Sequence, residues 1–120
     1  MVNIDTHIFL FGLAGELSAH ERKILAGKTT GISAIVLWEV AKLYIKQGRV
    51  NVSLEDPDLL RALAGMTVWP VDRNVCRRLL ELDFTSDPAD ELIAATSLAY
   101  NAPLLTRDRH IRSSQRVPLA

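Results

Sequence analysis

The chain has a single cysteine, Cys76, among its 120 residues. Without a second thiol there is no internal disulfide and no thiolate cluster for zinc, so a reducing, cytoplasmic setting is expected. Net charge is missing too: 14 lysines and arginines balance 14 aspartates and glutamates. The strongly basic footprint of many nucleic-acid binders is therefore absent, although charge gathered on one face remains compatible with such a ligand. No run approaches the roughly 18 apolar residues of a membrane helix, and no basic leader precedes the apolar start, which Asp5 interrupts. A soluble protein without membrane contact is the expectation. Repeats, low-complexity tracts and linkers are lacking as well. At 48% hydrophobic, residues 1–120 read as one domain with a core of its own. Lysine is absent beyond Lys46.

What the chain does have is helix and strand punctuation in alternation. Val2 to Asp5 reads as a short buried strand, and an apolar helix starts at Thr6 and breaks at Gly15. Ser18 caps a helix over 19–26. Gly31 to Ser33 is strand-like, and Ser33 suits the N-cap of a helix over Ala34 to Gln47, with Gly48 as its stop. Asp56-Pro57 opens another helix, closed by Gly65. Residues 67–71 read as a strand whose Pro70 sends it to an edge or a strand end. Asp72 caps a helix to about Leu82, Asp87-Pro88 opens a long one to Tyr100, 102–106 is a strand, and 117–119 is a last short one. The alternation predicts an α/β fold, a three-layer α/β/α arrangement with a mostly parallel central sheet.

Acids stand where acids are costly. Asp5 closes the first strand, Glu39 interrupts the run from Ile35 to Ala41, Asp87 and Asp90 open the run from Leu92 to Ala95, and Asp108 follows Pro103-Leu104-Leu105-Thr106. A buried, unpaired carboxylate costs several kcal/mol, so such groups are paired or bind a cation. In parallel sheets, sites form at the carboxyl ends of the strands, where the following helices also begin. That edge gathers Asp5, Asp108 and the first turn of the Asp87 helix. Glu39 lies roughly 9 Å along its helix and reaches the same edge if that helix slants. Each acid also has a structural role open to it. Asp5 and Asp108 suit turns or caps, Glu39 can pair with Lys42, Asp87 suits the N-cap before Pro88, Asp90 suits a capping box, and Glu91 suits solvent. Jointly they suggest an all-oxygen site for a hard divalent cation such as Mg²⁺. His7 and His110 read as structural or solvent-facing. Arg107, Arg109, His110, Arg112 and Arg116 crowd one stretch. They form either a solvated helix or a phosphate-gripping rim, with Lys42, Lys46 and Arg49 as a second rim.

Asp5-Thr6-His7, Ser33 with Trp38-Glu39, Asp87-Pro88-Ala89-Asp90 leading into Leu92 to Thr96, and Thr106-Arg107-Asp108 together resemble the PIN-domain ribonucleases, above all the VapC toxins of toxin–antitoxin pairs. The resemblance covers essentially the whole chain, as a single PIN-like domain over 1–120. It implies that Asp5, Glu39, Asp90 and Asp108 form the acidic quartet holding Mg²⁺ or Mn²⁺. Asp87 would be the extra acid of the DPxD form, and Thr6, Ser33 and Thr106 supporting polar residues. Ala89 and Glu91 stand where many relatives carry an aromatic and an arginine.

The activity implied is metal-dependent endoribonucleolytic hydrolysis of RNA. Asp5 would be the central ligand, Asp90 and Asp108 would flank it, and Glu39 would ligate or orient water. Arg107, Arg109, Arg112, Lys42 and Lys46 are the candidate substrate contacts. The implied partners are RNA, a VapB-like antitoxin that inserts a basic side chain among the acids, and a second copy of the chain. Phe9, Phe11, Leu13 and Leu17, with Trp38 and Tyr44 on the next helix, would supply the apolar docking surface. Two alternatives stand beside this reading. A degenerate PIN domain would act only as a binding module. A receiver-like Mg²⁺-binding signalling domain would use Asp72 as phospho-acceptor, but needs a lysine near the last strands.

Overall fold

A computed structural model of the chain describes residues 1–47 and 51–120, without the side chains of Lys46 and Gln47. Gly48 as a helix stop, the Arg49 rim and the Lys46 side chain therefore lie outside the described residues. The elements run in the order β1 (Val2–Ile4), α1 (Thr6–Ala14), α2 (Ala19–Leu25), β2 (Thr30–Ser33), α3 (Ala34–Gln47), α4 (Pro57–Ala64), β3 (Thr67–Trp69), α5 (Arg73–Arg78), α6 (Pro88–Tyr100), β4 (Leu104–Leu105) and α7 (Arg109–Arg112). The strands form one sheet in the order β3-β2-β1-β4. All three pairings are parallel, with Asn3 opposite both Gly31 and Leu104. This is the α/β fold that the alternation of helices and strands implies.

Local chemistry sets the element ends. Ser18 and Glu21 form a reciprocal capping box at the start of α2. Gly15 closes α1 in the left-handed region at φ 72°, where a residue without Cβ meets no penalty. Three predicted strands are shorter than their apolar runs. β3 stops at Trp69 because Pro70 has no N–H to donate, and it occupies the sheet edge. The 102–106 strand contracts to Leu104–Leu105, and 117–119 contributes a bridge of Leu119 to Leu104. The helix predicted from Asp72 to Leu82 is α5 followed by a 3-10 turn over Leu79–Glu81.

Alternation along β1 shows that both faces are covered. Val2 and Ile4 join the apolar core with Ile8, Phe9, Val36 and Leu59. Phe9 is thus a core residue and not part of an exposed docking face; the apolar run around it carried no sign of which side faced inward. Asn3 points the other way and is fully buried. Its Nδ2 donates to the Ile93 carbonyl at 3.1 Å and to Ser97 Oγ at 2.9 Å. Its Oδ1 has no partner among the described residues. An orphaned buried acceptor costs about 1–3 kcal/mol, so the role of Asn3 lies in seating α6 on β1. That seat sets where the first turn of α6 emerges.

Gly31 on β2 lies under the Trp69 ring. A Cβ there would stand 2.7 Å from two ring carbons and 3.0 Å from the Thr67 carbonyl oxygen. Trp69 has little room to yield, because it stacks on Tyr100 with centroids 5.8 Å apart. Gly31→Ala is expected to destabilise the protein by about 1–3 kcal/mol, the usual cost of overpacking. The readout is a lower urea midpoint at unchanged slope. An unmoved midpoint would show that the ring is not held against this strand.

Candidate active site

β1 is the switch point of the sheet: the chain leaves it towards β2, while β4 arrives on its other side. Crevices open at such points, outside the carboxyl ends of the strands. Three elements deliver a carboxylate there. Asp5 follows β1 and caps α1, its Oδ1 accepting the Ile8 N–H at 2.8 Å. Asp108 follows β4 and caps α7, its Oδ1 accepting the Ile111 N–H at 3.0 Å. Asp90 lies in the first turn of α6 and accepts the Ser86 hydroxyl at 3.1 Å. Together with His7, Phe11 and Arg107 they line a cleft of about 340 Å³.

Thr106 ties two of these acids together. Its hydroxyl donates to Asp5 Oδ2 and accepts the Asp108 backbone N–H at 3.0 Å. Thr6 does the same service for the fourth acid, donating its hydroxyl to Glu39. Glu39 is therefore held beside Asp5 by the residue that follows Asp5. It does not pair with Lys42, whose ammonium lies 5.5 Å from the Trp38 ring centroid.

The cleft is electrostatically uneasy. Asp5 is only 5% exposed, and burial raises its carboxyl above the ordinary range, against the lowering pull of the Thr106 and Ile8 hydrogen bonds. Burial likewise pushes Asp90 from 3.8 to about 6, helped by the charges of Glu39, Asp108 and Asp87 and opposed by Ser86. Among the described residues no lysine or arginine forms an ion pair with Asp5, Glu39, Asp87, Asp90 or Asp108. Nor do three acidic, histidine or cysteine side chains close tightly enough to enclose a metal ion. The donor set nevertheless suits a hard cation. Apart from the His7 imidazole it is carboxylate and hydroxyl oxygen, and an ion such as Mg²⁺ keeps several waters while using one or two carboxylates.

The remaining sequence candidates separate. Asp87 is exposed at the N-cap of α6 yet makes no capping bond with its side chain. Glu91, expected in solvent, is half-buried and accepts the Ser86 N–H at 3.2 Å. Ser33 is buried and accepts the Ile35 N–H at 3.2 Å, so it begins α3 and does not line the cleft. The basic stretch is neither one long helix nor one free rim. Arg107 forms a fork with Glu21, Arg112 donates to the Thr106 carbonyl at 3.3 Å, and Arg109 is exposed on the four-residue α7. Asp72 caps α5 and accepts the Tyr100 hydroxyl, a structural post far from a phospho-acceptor's.

Two side chains that hold cleft residues, Ser86 on Asp90 and Glu21 on Arg107, escaped the sequence reading. Ser86 stands four residues before Asp90 and carried a usable signal. Glu21, at the third position of a capping box, had a complete local explanation that hid its long-range partner.

The sequence matches the PIN domain family model over residues 2–116. Curated protein sequences give no significant match. Among solved structures, the chain is similar to the VapBC2 complex of Rickettsia felis, bound to a DNA fragment from its promoter. The TM-score is 0.76 at 20% identity, covering 100% of this chain and 98% of that one. A toxin–antitoxin complex from Klebsiella pneumoniae follows at TM-score 0.68 and 19% identity, covering 100% and 97%. The FitAcB structure from Neisseria gonorrhoeae gives 0.66 and 22%, covering 92% and 90%. At these identities the structures speak for the fold, and the family model, spanning nearly the whole sequence, places the chain in the PIN-domain family.

Proposed function

We propose that the chain is a Mg²⁺- or Mn²⁺-dependent endoribonuclease and the toxin of a toxin–antitoxin pair. The observation that carries this reading is the meeting of Asp5, Asp90 and Asp108 in one cleft, none of them in an ion pair with a lysine or arginine among the described residues. Asp5, Asp90 and Asp108 would hold the ion, with Glu39 beside them and Asp87 at the entrance. When bound, the ion supplies charge for the phosphoryl oxygens and lowers the pKa of an attacking water. Thr106 keeps Asp5 and Asp108 in register, and Thr6 keeps Glu39 turned towards the same edge.

One of the similar solved structures is a toxin–antitoxin complex, and a groove on this chain would suit such a partner. A groove of about 550 Å³ bordered by Leu10, Phe11, Ala14 and Leu43 shares His7 and Phe11 with the acidic cleft. An antitoxin segment lying in it would bring a basic side chain to the acids. Trp38 and Tyr44 remain exposed on α3 for a second contact, such as another copy of the chain. The cytoplasm, where RNA is plentiful, is the compartment this function requires.

The test is cleavage of a pool of structured and single-stranded RNAs with and without Mn²⁺. Mn²⁺-dependent scission, blocked by a copurifying product of a neighbouring small reading frame, is the expected result. Intact RNA in Mn²⁺ would overturn the nuclease assignment.

A further inference from the structure

Arg107 is held in one place by groups from three directions. Its Nε and Nη2 each stand 2.7 Å from a Glu21 carboxylate oxygen. Nη2 also faces the Glu16 carbonyl at 3.5 Å. The guanidinium carbon lies 4.1 Å from the Phe11 ring centroid, in cation–π geometry. Glu21 is itself fixed, because its Oε1 accepts the Ser18 N–H at 2.8 Å. Arginine normally loses much rotamer freedom on binding, and here that freedom is spent before any ligand arrives. Nη1 has no acceptor among the described residues. Arg107 lines both the acidic cleft and the neighbouring one, whereas Glu21 lines the neighbouring one with Ser18, His20 and Arg112. The guanidinium thus stands between the two clefts, with the neutralising carboxylate on the side of the neighbouring one and Nη1 left without a protein partner among the described residues.

We propose that Arg107 grips a backbone phosphate of a bound single strand through Nη1, and that Glu21 is the positioning residue that aims it. The inference rests on the nuclease reading above and adds the means by which an acidic cleft holds a polyanion. A strand entering the cleft is repelled by the acids. One pre-aimed guanidinium offers its remaining Nη1 amino group to a phosphate oxygen from a fixed position, which a flexible lysine does not match.

The experiment measures kcat and KM of the full chain in Mn²⁺ on a mixed-sequence single-stranded RNA, at several salt concentrations, with melting temperature recorded for each variant. Arg107→Met is expected to raise KM about tenfold, with kcat little changed. It should also remove roughly 0.7 from the slope of log affinity against log salt, the signature of one lost phosphate contact to a single strand. Arg107→Lys keeps the charge and covers the case in which the Met variant does not fold; it should keep the slope and still raise KM. Glu21→Gln should raise KM in the wild type and add little in the Arg107→Lys background, as coupled residues do. A wild type that leaves RNA intact overturns the nuclease reading. A wild type that cleaves, beside Arg107 variants that lower only the melting temperature, overturns this inference alone. A Glu21→Gln effect of equal size in both backgrounds overturns the positioning role.

Discussion

Asp5→Asn should abolish cleavage, on the order of a thousandfold or more, in a protein at least as stable as the wild type. The two halves of this expectation come from the same atoms. Asp5 is buried and its carboxyl is held above the ordinary range by desolvation, so the ionised form costs folding free energy when no cation is bound. Asparagine has the same shape, keeps one oxygen for the Ile8 N–H, and is among the best N-cap residues. It removes the charge and preserves the cap. Lost activity with preserved or raised melting temperature would mark Asp5 as a group kept for function against stability. If Asp5 were only a cap, Asp5→Asn would cleave as the wild type does, and that result would sink the metal-site reading.

The second large effect is linkage between protons, metal and stability. The Asp90 carboxyl titrates at about 6 in the folded protein against an ordinary 3.8. The native state therefore binds this proton more tightly than the unfolded chain. The stability it contributes is complete below the lower value and is lost as pH rises through the higher one. Asp5 is shifted in the same direction. Glu21 runs oppositely, held down to about 2 by the Arg107 hydrogen bonds; its contribution is present above the ordinary carboxyl range and disappears only as pH falls towards that value. Metal-free protein should thus lose melting temperature between about pH 4 and pH 7 through Asp90 and Asp5. Mn²⁺ should reverse the loss. At a hundred times its dissociation constant a ligand of the native state adds about 2.7 kcal/mol, on the order of 10 °C for a domain of this size. The gain should shrink at about pH 5, where protons compete with the metal for Asp90. Thermal melts at the two pH values, with and without Mn²⁺, decide it; equal metal shifts at both would remove Asp90 from the site.

Asp5, Asp90 and Asp108 were legible as a group because position in the chain translates directly into position on a parallel sheet. A residue just past a strand, or in the first turn of the following helix, has one edge to occupy. Glu39 was legible from its apolar neighbours, but its partner was not: Lys42 is close in sequence, while Thr6 is 33 residues away. The same limit explains the first turn of α6. Asp87 before Pro88 has the composition of a cap, yet Glu91 reaches back to the Ser86 N–H. Local rules name the residues able to satisfy an exposed N–H, and packing selects among them. Glu21 and Arg107, 86 residues apart, obey no periodicity, and only the meeting of α1, α2 and the end of β4 makes them a pair.

The central place of β1 also has a consequence for the order of events at synthesis. β1 is the first strand made, but one of its two neighbours is β4, and the Asp5 N–H is satisfied by the Leu105 carbonyl at 3.3 Å. Thr106, which ties Asp5 to Asp108, follows immediately. A growing chain that has not yet released these residues has one side of β1 unpaired and one wall of the cleft missing. Pairings this distant along the chain are slow to close, because loop entropy is lost before the contact forms. The cleft is therefore among the last of these features to form, because its walls wait for residues 104–108 to reach β1.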